Sequence, residues 1–435
     1  MKRAFLLWLL FFITTLSTLA QNTAAPPSSP PRRLTVEEAE VLALQNNPQV
    51  SISRLLALAS QQVTREAKSS YYPTTYGSLT AVEPRNGSRI AAGALNNPVL
   101  YDRFAGGITL AQLITDFGHT NNLVATAALR SKAADMNAVA TASQIRLAAD
   151  QAFYHALQAK AELQVAHQTV NARQVVSDQV TSLFNNKLKS QLDVSFANAN
   201  LSQANLLLLD AKNNYEAALS SLSEILGYPS QQQYELVESQ MPLTAPPDVV
   251  APLVDQALSN RPEISAQGYE AQASQRFQRA ERDLLLPDIR VLGVVGGVPT
   301  GGPQLDTWYG GVGINVNIPI FNGFLYPARA KEAALRSKAE QERLRDLKDR
   351  IANDVRNSWL NAQTAYSRIS VTQQFVDQTT MAVDLSQTRY QLGLASIVEL
   401  SQAQLQQTEA EIQNAAAKYQ YRIAQAILRY QIAAP

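Results

Sequence analysis

The chain has 435 residues, of which 17% are charged, a formal net charge of +1 and no cysteine. The charged fraction is below the roughly one-quarter usual in soluble domains, and no basic field points to nucleic acid or anionic lipid. The missing thiols exclude disulfides, thiolate metal sites, a cysteine nucleophile and lipidation of an N-terminal cysteine.

Lys2 and Arg3 precede an apolar run over 4–13, and the segment 14–20 leads to polar Gln21. A basic start, a short apolar core and a small residue before the cut read as a signal peptide over 1–20, cleaved after Ala20. The run falls short of the ~18–20 residues of a membrane span, and no later segment supplies one. The mature chain is therefore expected to be exported, and any membrane crossing must use strands. Residues 21–33, with Pro26, Pro27, Pro30 and Pro31, read as a flexible, extended leader.

Leu34 is expected to open the first helix, with Thr35 as N-cap and Glu38 as its capping-box partner. This helix should break near Asn47 and Pro48, resume, and end before Pro73. Two strands follow in 71–83 and 104–113, separated by a loop rich in Asn, Gly and Pro. The second carries Phe104, Gly106, Ile108 and Leu110 on one face. Between Gly118 and Gly227 there is neither glycine nor proline. These residues most disfavour helix interiors, so 121–226 reads as helical, with a turn at 185–190. The prolines of 228–252 mark a linker.

Beyond the linker the plan restarts. Pro48 and Pro73 find counterparts in Pro262 and Pro287 at one spacing, and the hexapeptide ALRSKA recurs at 128–133 and 334–339. That second spacing also pairs Asp116 with Asn322, Ser190 with Ser396, Asp193 with Glu399 and Tyr215 with Tyr421. The chain is thus an internal duplication, 34–227 and 253–435, each half reading helix, strand, strand, long helix, helix. The strands of the second half fall in 288–298 and 311–321. In the latter Val312, Ile314, Val316, Ile318 and Ile320 alternate with polar or small residues, and Trp308 and Tyr309 stand just before it. Such a strand suits a membrane barrel with an aromatic girdle, or a half-buried hairpin in a soluble domain. With a signal peptide and few elements to cover an apolar face, the membrane is favoured.

Four strands cannot close a barrel, and an open sheet edge is not viable in lipid. Several chains must then share one barrel. Helices of about sixty residues are roughly 90 Å long and need partners along their length. In the last helix Val398, Leu405, Ile412, Tyr419 and Ala426 recur at heptad spacing, a coiled-coil seam. Gly393 is the single glycine after Gly323, and it marks the turn of the second helical hairpin.

Signal peptide, duplicated halves, paired strands, long helices and the stretch RYQLGLASIVEL together resemble the TolC-type outer-membrane efflux proteins, from about Leu34 to Ala433. The resemblance implies an α+β membrane protein. Three protomers would build a twelve-stranded β-barrel, four strands from each, continuous with a long α-helical coiled-coil tunnel in the periplasm. It implies a homotrimer in outer-membrane lipid that meets a periplasmic adaptor (membrane fusion protein) at its tips. An inner-membrane pump would supply the energy, and the duct itself would need no cofactor and catalyse nothing. By position, Lys187, Leu188, Ser190, Gly393, Leu394 and Ser396 would form the adaptor-docking tips, and Asp193, Glu399 and Tyr390 the periplasmic gate. Val312, Ile314, Val316 and Ile318 would face lipid. Some family members carry a second acid and a lock arginine, where this chain has Gln402 and Ala395.

Asp193 and Glu399 also have a plainer reading, as acids at helix N-termini favoured by the macrodipole. His119, His155 and His167 read as solvated helix residues rather than metal ligands. The glycines of 293–302 lack the Lys-Ser/Thr ending of a phosphate loop and read as a strand end and external loop. No catalytic constellation can be placed. The alternative function is an exported periplasmic coiled-coil or adhesion protein without a pore, which membrane fractionation would distinguish.

Overall fold

A computed structural model describes residues 32–85, 101–238, 242–301, 303 and 305–434. The signal peptide and most of the leader lie outside these residues. The chain opens with a short strand, β1 (Arg32–Leu34), then α1 (Val36–Asn46) and α2 (Pro48–Ser69). Strands β2 (Thr74–Val82) and β3 (Arg103–Thr115) lead into α3 (His119–Asn185) and α4 (Gln191–Ile225). After β4 (Tyr234–Leu236) come α5 (Ala251–Asn260), α6 (Pro262–Asp283), β5 (Asp288–Gly301), β6 (Trp308–Asn317), α7 (Leu325–Gln391) and α8 (Ile397–Gln431).

The duplication appears in element lengths. Both α3 and α7 have 67 residues, α4 and α8 have 35, and α2 and α6 have 22. At 1.5 Å per residue the longest helices span roughly 100 Å. Each half starts with a helix pair split by proline. Thr35 and Glu38 close the expected capping box on α1, at 3.3 and 3.1 Å. Asn47 ends α1 and caps α2, accepting from the Gln49 amide at 2.9 Å while its own amide donates to the Ile225 carbonyl at 3.0 Å. The counterpart before Pro262 is Arg261, which instead spans Glu263, Tyr430 and Gln431 at 2.8, 3.2 and 2.6 Å.

Leu34 does not open a helix. It ends β1, which pairs in parallel with β4 inside the linker and is buried in the largest apolar cluster with Phe153, Leu222 and Leu226. The end of the leader is therefore held in a sheet, and the linker is partly ordered against it. A three-residue strand is too short for alternation to announce it.

The four longer strands form one antiparallel sheet in the order β2-β3-β5-β6. All four differ in their bounds from expectation, β2 starting three residues later and β3 running on to Thr115, and the differences at β5 and β6 have a physical cause. β5 runs on to Gly301, because the register shift between Phe104 and Gly106 lies opposite Pro299, so no ladder bond is asked of a residue without N–H. β6 begins at Trp308 and stops at Asn317, so Trp308 and Tyr309 lie inside it while Ile318 and Ile320 lie beyond it. Its partner β5 begins only after Pro287, and Pro319 cannot donate to a ladder.

α3 packs against α4, α2, α6 and α8, and α7 against α8 and α6. The seam of α8 combines two phases. Tyr419 and Ala426 are buried as expected, but Val398 and Leu405 are half exposed in the single chain. Ala403, Ala410, Ala417 and Ala424 fill the buried heptad positions instead. Small residues let backbones approach closely, which a Val/Leu seam would not allow. Among the described residues no helix is long and apolar enough to cross a membrane.

Candidate functional site at the hairpin tips and sheet

The two long hairpins turn the same way. At the first turn the Leu188 amide donates to the Leu183 carbonyl at 2.9 Å and the Lys187 amide to the Phe184 carbonyl at 2.8 Å. At the second, Leu394 donates to Arg389 at 2.8 Å and Gly393 to Tyr390 at 3.1 Å. Both are Schellman closures, with Lys187 (φ 62) and Gly393 (φ 74) in the left-handed position the motif needs. Ser190 and Ser396 then cap the returning helices, accepting from the Asp193 and Glu399 amides at 3.2 and 3.3 Å. Lys187, Leu188, Ser190, Gly393, Leu394 and Ser396 are all exposed.

Beneath the turns lies an apolar cluster of Val180, Val194, Ala197, Tyr390, Ile397 and Leu400. It joins the hairpins, and it brings Tyr390 and Asp193 together. The Tyr390 hydroxyl donates to Asp193 Oδ1 at 3.3 Å, while Asp193 Oδ2 accepts the Ser190 amide at 2.9 Å. Burial pushes the Asp193 carboxyl up, but the Ser190 bonds, the Tyr390 hydroxyl and the Lys189 charge outweigh it and hold it below the usual carboxylate range. Burial, with Asp193 beside it, pushes the Tyr390 phenol up to about 12. The pair thus stays a charged acceptor and a neutral donor across ordinary pH.

Glu399 does something different. It closes no capping box and pairs with Arg389 of its own hairpin at 3.3 Å, both side chains being about half exposed (57% and 45%). A pair of that exposure contributes ~0–1 kcal/mol. Asp193 and Glu399 are repeat mates and both stand in the first turn of a helix, yet only Asp193 is brought to Tyr390. Lys189 was not singled out in the sequence. Its ammonium lies 3.8 Å from the Tyr390 ring centroid. His119, at the head of α3, has its ring Nδ1 2.8 Å from the Ala280 carbonyl.

In the sheet, partners directly opposite share a face. The register lines up Val312, Gly293 and Leu110, and likewise Val295 and Ile108, with Ile314 and Val316 on the same side. Val312 is 85% and Ile314 73% exposed, so this apolar face has no cover among the described residues. The other face carries Tyr309, Gly296 and Gly107 in line, with Asn315 and Asn317. A Cβ at Gly107 or Gly296 would run into the phenol end of Tyr309, which reaches over both positions. Ile318 is 59% exposed but stands past the last paired residue.

The family model for the outer membrane efflux protein matches residues 41–228 and 253–433, breaking across the stretch that holds β4. The chain belongs to the outer membrane efflux protein family. It is 24% identical over 263 residues to the outer membrane protein TolC of Salmonella enteritidis, covering 58% of this chain and 53% of that protein. It is 22% identical over 391 residues to the outer membrane efflux protein BepC of Brucella suis, covering 85% and 79%. The chain thus spans about half the length of the TolC relatives it matches. Among solved structures, CusC superposes with a TM-score of 0.80 at 17% identity, covering 91% of each chain. VceC of Vibrio cholerae does so with 0.77 at 17%, covering 91% of this chain and 95% of that one. The family consists of channel proteins rather than enzymes, and membership places this chain in the outer membrane with its long helices in the periplasm.

Proposed function

We propose that three copies of the chain close one twelve-stranded barrel, continuous with a helical tunnel, and serve as the passive exit duct of a tripartite efflux or type I secretion system. The observation that carries this reading is the sheet. Among the described residues it has four strands, an uncovered apolar face, and free edges at β2 and β6. A membrane sheet must have no edge, and joining β6 of one copy to β2 of the next removes both. The half-exposed Val398 and Leu405 then find neighbours in the assembled tunnel. Val312, Ile314 and Val316 face lipid, with Ile318 at the periplasmic rim.

The tips form the periplasmic gate and the adaptor-docking surface. Tyr390 and Asp193 tie one hairpin to the other in the closed state, and Glu399 adds charge near the opening. Lys187, Leu188, Ser190, Gly393, Leu394 and Ser396 present the surface for a periplasmic adaptor, which links the duct to an inner-membrane pump. The energy comes from that pump, and the duct binds no cofactor.

The mature chain, purified in mild detergent, should run as a trimer by native mass spectrometry and form channels in planar bilayers. A monomer that forms no channel overturns the reading.

A further inference from the structure

We propose that Lys189 is the positioning residue of the tip lock, holding the end of α7 in place so that Tyr390 can meet Asp193. This rests on reading the tips as the closed end of the duct. Lys189 lies in the turn between α3 and α4, and it reaches across to the other hairpin. Its ammonium donates to the Tyr390 carbonyl at 3.3 Å and sits 3.8 Å from the centroid of the Tyr390 ring. Tyr390 is 5% exposed and lies in the last turn of α7. Its carbonyl already accepts the Gly393 amide at 3.1 Å, and Lys189 adds a charged donor to it.

Three favourable terms converge on that one ammonium. It lies over an aromatic face, satisfies a terminal helix carbonyl, and sits at the negative end of the helix dipole. The Tyr390 hydroxyl is then presented to Asp193 Oδ1 at 3.3 Å. Lys189 and Asp193 are both on the first hairpin, one holding the backbone and ring face of Tyr390, the other its hydroxyl. The hydroxyl bond alone would leave the ring free to swing about its side-chain torsions.

The duplication makes the latch one-sided. At the spacing that relates the two halves, Lys189 corresponds to Ala395, and Tyr390 corresponds to Phe184. The mirror contact therefore lacks its cation at the second turn and its phenol at the first. Its own charges, Arg389 and Glu399, pair within one hairpin at 3.3 Å. The first hairpin holds the second, and α7 with α8 is the part released when Lys189 lets go.

The test is the open fraction of single channels in planar bilayers, read on purified trimers of Lys189→Ala, Lys189→Met, Lys189→Arg, Tyr390→Ala and Asp193→Ala. Losing one part-desolvated cation–π contact from each of the three copies should raise the open fraction by at least roughly three- to tenfold in Lys189→Ala. Lys189→Met keeps the stem without the charge and should match it. Lys189→Arg should stay near wild type, since a guanidinium can both stack and donate. The proposal is overturned if Lys189→Ala and Lys189→Met gate like wild type while Tyr390→Ala and Asp193→Ala open the channel. In that case the tip gate stands without Lys189. If none of the variants alters gating, the tips are not the gate and both readings fall.

Discussion

Two residues in the left-handed region close the two tips, and they carry different penalties. Gly393 has no Cβ and finds open space around it, so its φ of 74° is strain-free. Lys187 adopts φ 62 with a side chain, at a cost of ~1–2 kcal/mol. Gly393→Val should cost at least ~1–2 kcal/mol at the turn, because a β-branched residue tolerates positive φ poorly. On the proposed duct, export of its cargo should fall, and unchanged export would remove Gly393 from the proposed docking surface. Lys187→Gly should stabilise the first turn by up to that amount, read as a higher melting temperature in detergent. Gly393 could be read from sequence because a lone glycine in a long helical run is conspicuous. Lys187 became visible only through its repeat mate. The Tyr390–Asp193 contact was not legible from local pattern, since it joins residues from different hairpins that meet through a shared apolar cluster.

At the scale of elements, the sheet shows how glycine, so costly within strands, is used here. Gly107 and Gly296 form a bed for the Tyr309 ring, which keeps a large side chain close to the wall. On the proposed barrel that wall faces the lumen. Gly107→Ala should lift the ring and lower single-channel conductance, and Tyr309→Ala in the same chain should restore it. A fall that persists in the double variant would mean that the backbone, not the ring, had moved. A Cβ at Gly296 would lie 2.6 Å from the Gly106 carbonyl oxygen, against 3.0 Å from that of Val295 for one at Gly107, so Gly296→Ala should chiefly reduce the yield of assembled trimer. The alternation of β6 was legible because one face is apolar and the other is not. Its end was misplaced because Ile318 and Ile320 continue the pattern after the partner strand has run out. β1 and β4 left no readable trace, as they pair through only three residues each. The seam of α8 was half legible, since alanine marks a close contact but also marks any helix.

For the whole molecule, a buried charge network lies far from both tip and sheet, where α1, α3 and α8 meet. Asp150 is 4% exposed, and its Oδ2 accepts from Arg429 at 3.3 Å. Its Oδ1 meets no donor among the described residues, and the Glu40 carboxylate beside it can bond to it only when one of the two is protonated. Burial, then the Glu40 charge, push the Asp150 carboxyl up to about 7, against the pull of Arg429 and Arg146. A carboxyl raised in the fold favours its protonated form, so its contribution is full under acid conditions and fades as pH rises through about 7. Asp150→Asn should flatten that dependence, melting at similar temperatures at pH 6 and 8.5 and above wild type at the higher pH. A wild-type slope in the variant would assign the dependence to other groups. The equal lengths of α3 and α7 bear on the whole molecule in another way. Each is a rigid arm anchored beside the sheet with its working end at the tip. A tilt of about 3° at the anchored end of a roughly 100 Å arm moves the far end by about 5 Å. On the proposed duct the aperture can therefore widen by angular gain, with every helical hydrogen bond kept and the packing contacts shifting least beside the sheet and most at the tip.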